Sequence, residues 1–111
     1  MNDILYLTNI LESIDLIKQY IKSKGVRDLR VSTLLRDGIC KRIEEIGENM
    51  RKISNKLKNK YTHIDWIAFI EIRNFLTHVY QRVNIQKLWV ILNKDIPVLE
   101  KEIKSILEEL K

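Results

Sequence analysis

The chain has 111 residues, enough for one buried core but not for two, so it reads as a single domain over residues 1–111. It is 45% hydrophobic with only three Gly and one Pro, which favours long helices and excludes an architecture of short strands and frequent turns. The net charge of +5, from 20 Lys and Arg against 15 Asp and Glu, accommodates an RNA ligand without demanding one. There is no N-terminal apolar run with a cleavage site and no apolar stretch long enough to span a bilayer, so a cytoplasmic protein with no membrane contact is expected. Cys40 stands alone in an apolar helical stripe, where it reads as a small hydrophobe in a reducing compartment.

A first helix is predicted from about Asp3 to Lys24, capped by Asn2 or Asp3 and stopped by Gly25. Its stripe is Ile4, Leu7, Leu11, Ile14 and Ile21, widened by Ile10 and Ile17. Residues 25–31 read as a loop. A second helix follows from Val31 to Leu57, with Leu35, Ile39, Ile43, Ile46, Met50, Ile53 and Leu57 at steps of four, four, three, four, three and four. Gly38 and Gly47 lie inside it at a cost of about 1 kcal/mol each, which suggests close approach of another backbone. Glu48 reads as a surface residue that can face a neighbouring polar cluster. Arg51, Lys52, Lys56, Lys58 and Lys60 form a basic run at the end of this helix. They read either as a solvated helix end or as a rim that attracts phosphate, with Arg51, Lys52 and Lys56 the candidate RNA-binding residues.

Lys58–Thr62 reads as a polar connection, with His63 a loop residue and Thr62 or Asp65 capping a third helix that runs to Tyr80. Trp66, Ile67 and Ile70 oppose an arc of Ala68, Phe69, Ile72, Phe75, Leu76, Val79 and Tyr80, so this helix begins apolar all round, as a centrally buried helix does. Farther along, the opposing side carries Arg73, Asn74, Thr77 and His78. A polar cluster at the end of a buried helix requires solvent, a ligand or a second subunit to satisfy it. A last helix, Asn84–Leu110, keeps its apolar phase through Pro97, with Trp89 as a core anchor. The pattern therefore predicts one helix bent at Pro97. The expected fold is all-α: an antiparallel, up-down four-helix bundle with short connections.

Arg73 and His78 are five positions apart, hence about 140° apart around an ideal helix. That spacing is awkward for one metal ion, and no metal or other cofactor is expected. It suits two long side chains closing on something as large as a phosphodiester. Arg presents a fixed fork of donors to phosphate oxygens. His exchanges a proton near neutral pH. Together they meet the needs of metal-independent RNA cleavage, in which a base deprotonates the ribose 2′-hydroxyl and a fixed cation stabilises the charge that develops at phosphorus.

These residues resemble a known signature. Arg73-Asn74-x-x-x-His78-x-Tyr80 is similar to the motif of HEPN-domain ribonucleases, and the Tyr two residues past the His resembles, more narrowly, the HepT toxin family. The Ile46-Gly47-Glu48 box, Trp66, Leu88-Trp89 and Asp95-Ile96-Pro97 also fall where that family has them, so the likeness covers nearly the whole chain and is most specific over residues 43–99. One departure is Val79, where the family often has Asp.

The resemblance implies a HEPN-like bundle and a homodimer in which two Arg–His pairs share one cleft across a two-fold axis. It implies a metal-independent endoribonuclease, the toxin of a type VII-like toxin–antitoxin module acting on tRNA or mRNA. Arg73, His78 and Asn74 are then the catalytic residues. It also implies an antitoxin of the MNT nucleotidyltransferase type that transfers AMP to Tyr80. The other reading left open is a non-catalytic helical subunit that docks on a nucleotidyltransferase. The two differ in a simple observable: only the toxin arrests growth when expressed alone, and only through His78.

Overall fold

A computed structural model describes residues 2–76 and 82–111, with side chains described over 2–72 and 84–111. Helix α1 (Asp3–Ile21) is packed by α3 (Thr33–Lys52) on one side and by α7 (Ile96–Leu110) on another. The face between those neighbours carries Leu7, Ile10, Ile14 and Ile17, all fully buried. Ile10 and Ile17, which the pattern made the margin of the stripe, are therefore at its centre. Ile4 is 47% exposed, and Leu11 and Ile21 are half-buried.

The turn after α1 also differs from expectation. Helix α1 stops at Ile21, and the residue with left-handed backbone is Ser23 (φ 61°). Gly25 is instead extended (φ −121°) and starts α2 (Val26–Val31) where a loop was expected. The short helix is held because the Asp28 carboxylate accepts the Gly25 N–H at 2.7 Å and Leu29 is fully buried.

Ser32 then caps α3, its Oγ accepting the Leu35 N–H at 3.0 Å. Ile39, Ile43, Ile46 and Met50 are fully buried along this helix. The predicted helix to Leu57 is broken at Ile53–Ser54, and α4 (Asn55–Lys60) takes over most of the expected polar connection. The break is built by Ser54, whose Oγ accepts the Leu57 N–H at 3.2 Å while its own N–H and O–H donate to the two oxygens of Asp3, at 2.9 and 2.6 Å. Asp3 thus serves another corner, and Asn2 at the N-cap of α1 makes no side-chain capping bond. Apolar phase survives the break, since Ile53 and Leu57 remain buried.

Asp3 meets Ser54, Asn9 donates to Asn49 at 3.1 Å, and Gly38 faces the Tyr20 ring, so numbers fall along α3 as they rise along α1. The two helices are antiparallel, as expected. Residues α6 (Arg82–Val90), a π-helical turn (Ile91–Asp95) and α7 form one uninterrupted helical run. In the wide turn the Ile96 N–H reaches back to the Ile91 carbonyl, just before Pro97, which has no N–H to offer. Ile85, Leu92, Ile96, Leu99, Ile103 and Ile106 are buried on both sides of that turn, so the apolar phase is kept across it. Leu88 is fully buried and Trp89 only half-buried, so Leu88, not Trp89, anchors α6. The all-α bundle stands, with two short corner helices added to it. No helix among the described residues is long and apolar enough to cross a membrane.

Candidate active site

Helix α5 (Trp66–Leu76) carries the backbone of Arg73 and Asn74 in its last turns. Its start is fixed on three sides. The Asp65 carboxylate accepts the Ala68 N–H at 3.0 Å, so Asp65 rather than Thr62 supplies the cap. Trp66 is buried, and its indole N–H donates to the Tyr61 carbonyl at 3.1 Å. The Tyr61 hydroxyl in turn donates to Glu109 on α7. His63, exposed beside this anchor, has its ring edge-on to Tyr61 at 6.2 Å between centroids and takes no part in the cleft below.

The path of α5 is then set by Gly47. A Cβ at that position would lie 3.1 Å from the Phe69 carbonyl oxygen and 3.8 Å from the Ile70 Cα, so α3 and α5 cross backbone to backbone. That is the close approach expected from a glycine kept inside a helix. Gly38 differs, because what it faces is the side chain of Tyr20 and not a backbone.

Beside the crossing opens a cleft of about 210 Å³, lined among the described residues by Glu44, Gly47, Glu48 and Arg51 of α3 and by Phe69 to Ile72 of α5. Glu48 faces the cleft, as the pattern allowed, and is paired with the Arg51 guanidinium. The hydrogen bond to Glu48, and then its charge, push the pKa of Arg51 further up, so the cation is fixed at any working pH. Glu44 and Glu71 complete a polar wall that the sequence reading did not single out. The signal for Glu44 was present: Glu44, Gly47, Glu48 and Arg51 share one helical face at steps of three, one and three.

The three basic residues expected to bind RNA separate. Arg51 lines the cleft, Lys52 lies over the Tyr6 ring at 5.9 Å toward α1, and Lys56 is exposed on α4. Lys58 donates to the Arg51 carbonyl at 3.4 Å and so covers the end of α3. The side chains of Arg73 and Asn74, and His78 and Tyr80 altogether, lie outside the described residues.

The expectation of a centrally buried α5 is corrected. Among the described residues α3 is the element that packs closely on this helix, and Ile67 is 65% exposed with Ala68 exposed beside it. Cys40 is half-buried with its thiol pKa pushed up to about 11, first by burial and then by Asp37 and Glu44. It is held as a neutral thiol, which agrees with the reading of Cys40 as a packing residue rather than a nucleophile.

The profile of one family, described as ribonuclease HepT-like, matches residues 10–106. The chain belongs to the HepT-like ribonuclease family. Among its relatives in this family is a Methanocaldococcus jannaschii protein whose name couples a gamma-glutamylcyclotransferase with a candidate RNase. It is 42% identical over 106 residues, which are 96% of this chain but only 48% of that protein. The chain thus spans about half the length of that relative. A candidate RNase of Caldanaerobacter subterraneus subsp. tengcongensis is 28% identical over 96% of this chain and 95% of its own length. A protein of Thermococcus cleftensis that is named a candidate ribonuclease HepT is 28% identical over 91% of this chain and 92% of its own length. No solved structure matches the chain. For a HepT-like ribonuclease, the Ile46-Gly47-Glu48 box has a physical meaning here: Ile46 fills the core, Gly47 lets α5 cross, and Glu48 lines the cleft.

Proposed function

We propose that this HepT-like ribonuclease is the toxin of a toxin–antitoxin module, a metal-independent endoribonuclease that cuts tRNA or mRNA as a homodimer. His78 takes the proton of a ribose 2′-hydroxyl, the freed oxygen attacks the adjacent phosphorus, and the 5′-oxygen of the next nucleotide leaves. His78 of the second copy returns a proton to that oxygen. Arg73 binds the scissile phosphate and the charge that grows on it, and Asn74 orients His78 or a phosphate oxygen. Arg51, with Lys52 and Lys56 farther out, draws RNA towards the cleft.

The observation that carries this reading is the motif Arg73-Asn74-x-x-x-His78-x-Tyr80 in a chain of this family. The homodimer has separate support in α5, whose exposed Ile67 and Ala68 form an apolar face that no described residue of the same copy covers. A C2 interface along that face brings two copies of the Arg73–His78 segment together, which also removes the difficulty of their divergent directions on one helix. The antitoxin is a nucleotidyltransferase that transfers AMP from ATP to the Tyr80 hydroxyl with release of pyrophosphate. The bulky anion so formed keeps RNA out by occupancy and by repulsion.

The test is cleavage of total RNA by the purified chain without divalent cations. Arg73→Ala and His78→Ala are each expected to lower cleavage by about a thousandfold or more, with dimer mass and helicity unchanged. Undiminished cleavage by either variant removes the mechanism. Mass spectrometry after co-expression with the neighbouring gene product tests the rest, since an unmodified Tyr80 in a neutralised toxin rules out AMP transfer to that residue.

A further inference from the structure

A second concave surface lies at the other end of α3, roughly 14 Å along the helix from the Gly47 crossing. It is a groove of about 500 Å³ between the end of α1, the outer side of α2 and the start of α3, lined by Tyr20, Lys24, Asp28, Val31, Leu34, Leu35 and Gly38 among others. Its apolar residues are not buried: Leu34 is 85% exposed and Val31 70%. They are nonetheless held in place. Arg36 donates to the Leu29 carbonyl at 3.0 Å and to the Thr33 hydroxyl at 3.2 Å, and Ser32 caps α3, so the α2–α3 corner that presents them is pinned. A fixed, exposed apolar groove costs solvation in the free protein and loses little entropy on binding.

Charge indicates what fits there. Residues 22–42 hold seven basic and two acidic side chains. Lys24 lines the groove, and the exposed Arg27 stands one turn before Val31 on the same face of α2 by helical spacing. The one carboxylate in the lining, Asp28, is engaged by the Gly25 N–H.

A second copy of the chain is a poor occupant, because an isologous contact sets Lys24 and Arg27 against themselves. A phosphate backbone satisfies the cations but leaves Val31 and Leu34 against polar oxygens. A bilayer surface is disfavoured by so short an apolar stretch.

We infer that the Tyr20–Val31–Leu34 groove is a docking site for an acidic amphipathic helix of a protein partner, whose aliphatic stripe covers Val31, Leu34 and Leu35 while its carboxylates meet Lys24 and Arg27. This surface is separate from the cleft, and the inference stands whether or not the nuclease reading does.

The test uses the full-length, isotope-labelled chain and a stapled synthetic helix with Leu along one stripe and Glu on the flanks. Its counterpart carries Lys in place of Glu, and a short RNA and anionic phospholipid vesicles complete the set. The Glu helix is expected to shift the amide signals of Tyr20, Val31, Leu34, Leu35 and Gly38, and the Lys helix to leave them in place. The pair Lys24→Glu with Arg27→Glu should weaken the Glu helix at least about tenfold and admit the Lys helix. Both substitutions are at exposed positions, so the reversal is readable even if Leu34→Glu perturbs folding. The inference is overturned if neither helix shifts these signals, if charge reversal leaves the preference unchanged, or if only RNA, vesicles or a second copy engage the groove.

Discussion

The two ends of α3 use the same residue type under different constraints. At the cleft end, Gly47 faces a backbone carbonyl of α5 at 3.1 Å from where a Cβ would stand. At the groove end, Gly38 faces the edge of the Tyr20 ring at 3.3 Å. A helical carbonyl cannot move without its helix, whereas a ring can tilt by a few tenths of an ångström about its own side-chain bonds. Similar distances therefore carry opposite meanings. Gly47 fixes where α5, and with it Arg73, runs past α3, while Gly38 leaves room beside a surface groove.

The largest effect is expected at Gly47. Gly47→Ala gains up to about 1 kcal/mol of helix propensity but forces the crossing apart. A net loss of about 2 kcal/mol is expected, with Tm lower by roughly 10 °C. If the α3–α5 crossing also sets the site, RNA cleavage should fall more than the folded fraction does. A variant of unchanged Tm would mean that α5 yields easily, and the contrast between the two glycines would fail.

How much of this was legible depends on which interaction decides each feature. Periodicity identified the core of α3 well, because Ile39, Ile43, Ile46 and Met50 lie on a stripe that one dominant contact surface buries. It misplaced the centre of α1, where two neighbours share the burial and the buried face runs through Leu7, Ile10, Ile14 and Ile17, taking in the two residues placed at the stripe's margin. The corners were harder. Whether α3 runs on to Leu57 depends on a bond between Ser54 and Asp3, 51 residues apart, and no local propensity contains that. Gly25 looked like a helix stop because glycine favours left-handed backbone, but Ser23 takes that conformation and Gly25 serves the next helix. Of the site, the spacing of Glu44, Gly47, Glu48 and Arg51 already put these residues on one face. That the face belongs to a cleft follows only from the crossing with α5. The exposure of Ile67 was invisible to pattern reading, since an apolar helix looks the same whether its cover comes from its own chain or from another.

The corners flanking α3 sharpen the comparison. At the groove end, Arg36 ties together residues only a few positions apart, so that corner is held locally. At the cleft end, Asp3 reaches Ser54 from the start of α1. Asp3→Ala should cost about 1 kcal/mol by removing an acceptor from two donors at a partly buried site. Hydrogen exchange locates the loss: amides of α4 should lose protection while those of α2 keep it. Equal loss at both corners would show that the Asp3–Ser54 contact is not what holds the cleft end.

The smallest effect has the opposite sign. Gly38→Ala places its methyl 3.3 Å from Tyr20 Cε2, within reach of a small tilt of the ring, and recovers most of the helix propensity that glycine forfeits. The expected outcome is a gain of about 0.5 kcal/mol, read as a slightly raised Tm, with RNA cleavage unchanged because the cleft lies at the far end of the helix. The same methyl narrows the groove at its floor, so the Glu-flanked helix should bind a few-fold more weakly to this stabilised variant. A Gly38→Ala protein that is less stable than the parent would mean that Tyr20 is clamped as firmly as the α5 backbone. The groove would then be as rigid as the crossing, and the difference between the two ends of α3 would be one of position only.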